Sequence, residues 1–215
     1  MTEDLTIGER IVLLALDEKT GTLREAPLRV SLAVSAAALL ELSFSGGLTE
    51  RDGTLVATGA STSADPAAAA MAEHVRRHPE ETPREWLLAV REQALETAYR
   101  GLSEKGLVRE QGRRVLGAFG SVKHPVTGVS ELAALRGRMA AVLTRGQDPD
   151  EHMAALITVL YHAGLQSVMT HDPGGGAPEG RLAAIAEGQG SAAALGDTIC
   201  TTVAALTAVI AASAL

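Results

Sequence analysis

With 215 residues, 26 of them acidic against 19 Lys and Arg, the chain carries a formal charge of −7. It is long enough to bury a full core and too acidic for an indiscriminate nucleic-acid binder. Aromatic residues make up only 2%, so the core has to come from Leu, Val, Ile and Ala, which in long runs favour helices and predict a mostly α protein.

In chain order, the stretch from Leu5 to Leu16 opens with Thr6 and, three residues on, Glu9, the spacing of a capping box. Ile7, Ile11, Val12 and Leu14 give it an apolar face. The turn DEKTG follows, then a strongly apolar helix from Leu28 to Phe44 that stops at Gly46-Gly47. Leu48, a polar turn at Asp52-Gly53 and the apolar return Leu55-Val56 read as a short hairpin. After the loop GASTSADP, Asp65 caps a helix from Pro66 to Arg77, and Pro79 ends it. Thr82-Pro83 opens the next helix, from Pro83 to Ser103, which carries Trp86, Leu87, Val90, Ala94, Leu95 and Leu102.

That helix runs out at Glu104-Lys105-Gly106, where Gly106 is expected to supply a positive φ. Leu107-Val108, a polar turn centred on Gln111-Gly112 and an apolar return from Val115 to Phe119 predict a second β-hairpin. The order of apolar helix, Gly-Leu, Gly-containing turn and apolar return therefore occurs twice, as an ancestral repeat or as two helix-hairpin units. Further on, Ser130 is expected to cap a helix reaching Thr144, and Asp148-Pro149 to begin one lasting to Met169. The segment DPGGGAP reads as a loop. A last helix, about Ser191 to Ala214, is apolar nearly all round, as suits a helix surrounded by others.

The opening residues lack the positive region of a secretory signal. The longest apolar run, Thr201 to Leu215, is short of the roughly 20 residues a membrane span needs. A soluble, cytoplasmic protein is expected. The single cysteine, Cys200, cannot form an intramolecular disulfide and is expected as a small buried hydrophobe.

Chemistry-bearing patterns are sparse. His74 and His78 share a helix face, but no Glu follows the first and Pro79 ends the helix, so an exposed pair near a helix end is expected. His124, His152, His162 and His171 have no metal-ligand spacing. No Gly-x-Ser-x-Gly elbow is present, Ser45 and Ser121 lack a base, and Gly174 to Gly176 follow no strand. No catalytic, cofactor-binding or metal residues are assigned, and the chain is read as non-enzymatic.

Charge is distributed unevenly. From Ala98 to Val126 six basic side chains, Arg100, Lys105, Arg109, Arg113, Arg114 and Lys123, meet only Glu104 and Glu110, a local excess of +4. Arg113 and Arg114 beside the apolar Leu116 and Phe119 make this hairpin a candidate surface for an anionic membrane lipid or for self-association. Arg29 and Arg91, on helices, are candidate anion-binding residues, each such cation adding about 1 kcal/mol near an anionic bilayer. The bland reading is that these arginines solubilise exposed faces.

The segments LTIGERIVLLALDEKTG, ALLELSFSGGL, LSEKGLV, the exit KHPV and MAALITVLYHAG, in that order, resemble the Golgi phosphoprotein 3 family. Its members show an LTL-x-E-x-x-LLL-x-L opening, an ELALRGRL-like segment, a VEKGVL-like segment and a THPL-like hairpin exit. Trp86 in REWLLAV also falls where the family has a Trp. The resemblance implies one helical domain over residues 1–215, with central apolar helices ringed by amphipathic ones. It also implies a non-enzymatic peripheral membrane protein, since the eukaryotic members bind phosphatidylinositol 4-phosphate and adapt glycosyltransferases to vesicle coats. Phe119 falls on a hairpin Phe of the family and Leu116 on another apolar position.

The family's headgroup residues are replaced. Its Trp after the first turn falls on Ala26, its Arg in the second helix on Ser35, and two further Arg on Glu92 and Leu95. A Glu in place of an Arg repels a phosphate at close range, and Arg29 and Arg91 are the nearby candidates to stand in. With no basic N-terminal tail and an Ala-rich composition, the chain looks like the family's bacterial members, and no Golgi location is implied. Two alternatives stand beside this reading: a winged-helix-like nucleic-acid module, because a helix followed by EKGLV and a basic hairpin occurs there too, and a structural module that oligomerises through the hairpin.

Overall fold

The computed structural model describes residues 4–51, 54–58, 63–112, 122–169, 179–186, 203–204, 206–208 and 210–211. At its centre lies helix α1, Ile7–Ala15, all nine residues of which are buried. The Thr6 hydroxyl accepts from Glu9 N while Glu9 Oε2 accepts from Thr6 N, completing the expected capping box. Beside it runs α2, Pro27–Phe44, with 12 of 18 residues buried. Contact is close: a Cβ on Gly8 would stand 3.2 Å from Val34 Cγ1, and Ile7 N donates to Glu41 Oε1 at 3.0 Å. Among the described residues α2 alone is long and apolar enough to cross a membrane, with a mean hydropathy of 1.4, yet 67% of it is buried inside the fold. Its apolarity serves the core.

Amphipathic helices surround this pair. Helix α3, Pro66–Arg77, turns Ala67, Ala68, Met71 and Val75 inward and is capped by Asp65. Helix α4, Pro83–Glu104, buries Trp86, Leu87, Val90, Ala94, Ala98 and Leu102 along one stripe at helical spacing. Helices α5, Val129–Thr144, and α6, Glu151–His162, follow, then α7, Glu179–Ala186. All contribute to one continuous cluster of buried apolar side chains, each fully buried Leu, Ile, Val or Met adding about 1.5 to 3 kcal/mol. Strands β1, Leu48–Arg51, and β2, Thr54–Ala57, pair antiparallel with Leu48 opposite Ala57. The architecture is the expected one: mostly α, central apolar helices, amphipathic helices around them, and short β pairing.

Three helices end alike. Leu42 and Ser43 of α2 accept from Gly47 N and Gly46 N, Leu102 and Ser103 of α4 from Leu107 N and Gly106 N, and Leu160 and Tyr161 of α6 from Leu165 N and Gly164 N. The Gly46, Gly106 and Gly164 φ angles of 73°, 69° and 69° make this the Schellman arrangement.

Three local expectations change. Helix α5 starts at Val129 with Gly128 as its cap, and Ser130 lies inside the first turn, where its hydroxyl meets Glu131 Oε2 at 2.7 Å. A side chain at the cap has no room, since a Cβ on Gly128 would sit 2.4 Å from Leu107 Cδ2. Helix α6 starts two residues later than expected, capped by Asp150, and stops at His162 rather than running to Met169, because Gly164 terminates it before the 3-10 turn Gln166–Val168. In the second ribbon Val108 bridges Val126 and Gln111 bridges Lys123, so the return arm is 122–126 and the turn is not centred on Gln111-Gly112. Of the expected last helix, the described residues 203–204, 206–208 and 210–211 are helical, with Val203 and Leu206 buried. The DPGGGAP loop and Cys200 lie outside the described residues.

Candidate functional site

The second ribbon is held in place by the first helix and the turn after it. Lys105, at the C-terminal end of α4, reaches the buried Glu9 carboxylate with Nζ at 2.7 and 2.5 Å from its two oxygens, and also donates to Asp4 O at 3.0 Å. The approach needs a glycine on α4, since a Cβ on Gly101 would fall 2.1 Å from Glu9 Oε1. Lys105 is thus paired with a buried carboxylate, and the uncompensated positive charge of this region is smaller than the sequence count. Close by, burial pushes the Asp65 carboxyl above its usual range against the pull of its bond from Ala67 N.

The return arm lies on the turn between α1 and α2. His124 N donates to Gly21 O at 2.7 Å. Gly21 has φ 66°, and a Cβ there would be 2.3 Å from Pro125 N, so position 21 requires glycine on both counts. The His124 ring stacks on Tyr99 of α4, centroids 4.0 Å apart and planes inclined by 21°. Burial raises the Tyr99 phenol to about 12 and lowers His124.

Between α4 and the ribbon opens a cleft of about 450 Å³. Helix α4 contributes Glu92, Leu95, Glu96, Tyr99, Arg100 and Ser103, and the ribbon contributes Glu110, Val122 and His124. The helical spacing of 92, 95, 96, 99 and 103 places them on one stripe beside the buried one. Sequence reasoning read the ribbon as basic and missed this cleft, because Glu92 and Glu96 come from a different element and only the fold brings them beside Glu110.

Of the expected site residues, Arg113, Arg114, Leu116 and Phe119 lie outside the described residues. Arg29 sits by the turn after α6, with Nη1 4.0 Å from where a Cβ on Gly164 would be. Arg91 donates to Leu88 O and pairs with Glu92 Oε1 at 3.0 Å. Where the resemblance places headgroup residues, Ala26 is exposed ahead of α2, and Ser35 is fully buried with its hydroxyl donated to Leu32 O. Glu92 and Leu95 line the cleft.

His74 and His78 are not a free surface pair. His74 Nε2 lies 2.8 Å from Glu81 Oε2, the two rings are 4.7 Å apart, and the buried Trp86 donates its indole N–H to His78 O at 3.1 Å. The cluster closes the turn between α3 and α4. Among the described residues no group of three His, Cys, Asp or Glu is arranged to hold a metal ion.

Compared with known proteins, residues 7–202 match the family model described as Golgi phosphoprotein 3 (GPP34). No curated protein matches the chain.

Proposed function

This chain belongs to the Golgi phosphoprotein 3 family, and we propose that it works as a non-enzymatic binding module that meets anionic membrane surfaces peripherally, from the cytoplasm. The family match across residues 7–202 carries this reading. The basic and apolar make-up of the 113–119 segment, Arg113 and Arg114 with Leu116 and Phe119, supports it. Membrane attachment here is a matter of general charge and apolar contact rather than of a phosphoinositide headgroup. Ser35 is buried, Glu92 brings a carboxylate where the resemblance places a phosphate-binding Arg, and Arg91 is tied to that same Glu92.

Co-sedimentation with vesicles tests this. Phosphatidylglycerol vesicles at low salt should pull the protein down, phosphatidylcholine vesicles should not, and added salt should release it, because exposed charges are screened within about 10 Å at 0.1 M. Arg113→Glu with Arg114→Glu should abolish the binding, and phosphatidylinositol 4-phosphate should give no advantage over an equal charge of phosphatidylglycerol. Absence of any binding to anionic vesicles at low salt rejects the proposal.

A second reading rests on Leu116 and Phe119, which suit pairing with another copy as well as they suit a bilayer. It predicts a concentration-dependent mass that Phe119→Asp removes, read by sedimentation equilibrium. A nucleic-acid role is disfavoured by Glu92, Glu96 and Glu110 beside the ribbon, which would face a phosphate backbone with like charge.

A further inference from the structure

We draw no further inference here: the strongest candidate, the cavity of about 110 Å³ between α1, α4 and the cap of α3, is lined by two buried carboxylates that already have partners, Glu9 in Lys105 and Asp65 in Ala67 N, and nothing among the described residues points to a ligand between them.

Discussion

The end of α2 and the end of α4 are built to one plan and differ in length. Each helix closes with two carbonyls bonded to a Gly-containing turn, and each ribbon is then tied back by a threonine. Thr58 donates its hydroxyl to Gly46 O at 2.7 Å and its N–H to Gly47 O at 3.0 Å. Thr127 donates its hydroxyl to Gly106 O at 2.8 Å and its N–H to Leu107 O at 2.9 Å. The first closure comes 11 residues after Gly47, the second 20 after Leu107. The first ribbon is a four-residue ladder on each side, and among the described residues of the second Val108 bridges Val126 and Gln111 bridges Lys123. The longer unit receives outside support from Gly21, Glu9 and the Tyr99 stack. It includes Val122, which lines the cleft, and its sequence carries the basic, apolar segment 113–119. The same closure thus stands under a short ladder in one place and under the residues proposed for binding in the other.

Substitutions at matching positions can break or sharpen this comparison. The largest effect is expected from Gly21→Ala, which strains a positive φ and drives a methyl into the Pro125 backbone, costing about 3 kcal/mol. Its thermal midpoint should fall by several degrees, and the Tyr99–His124 contact should loosen in the NMR spectrum while the first ribbon stays unchanged. Lys105→Met leaves the buried Glu9 carboxylate without its cation. Loss of one buried partner costs 3 to 5 kcal/mol, but the Lys105 side chain is 36% exposed, so about 2 kcal/mol is expected in urea unfolding.

Gly46→Ala and Gly106→Ala form the direct test of equivalence. Neither site has an atom within 4 Å of a new Cβ, so each should cost only the left-handed penalty of about 1 to 2 kcal/mol. Unequal losses would show that one closure carries load the other does not. The smallest change is expected for Thr58→Val and Thr127→Val, about 0.5 kcal/mol each for an exposed hydroxyl bond. Hydrogen exchange at the amides of 47 and 107 should rise in step with the loss.

Much of this plan was legible in the sequence because it rests on local chemistry. The capping box at Thr6, the cap at Asp65 with Pro66 as the first helical residue, the helix start at Thr82-Pro83 and the positive φ at Gly106 follow from residue types at fixed spacing. What depended on distant partners was not legible. Ser130 has a good cap composition, yet Leu107 crowds Gly128 into that role from another element. Lys105 counts as surface charge until α1 supplies Glu9. The pairing of Gln111 with Lys123 escaped because a Gly-containing turn at 111–112 satisfies short-range rules equally well, and the return arm is chosen instead by its seat on Gly21. The cleft follows the same logic, since its carboxylates come from two elements, α4 and the ribbon.

Burial of α1 on every side also has a consequence for synthesis. This helix leaves the ribosome ahead of the other helices described, but Lys105, which neutralises its Glu9, is made 96 residues later. Until α4 is complete the most apolar early segments of the protein have no finished enclosure, and chains released before that point should be held by chaperones or degraded rather than fold in part. Stalling translation on either side of residue 105 and probing each nascent chain with protease would locate that step.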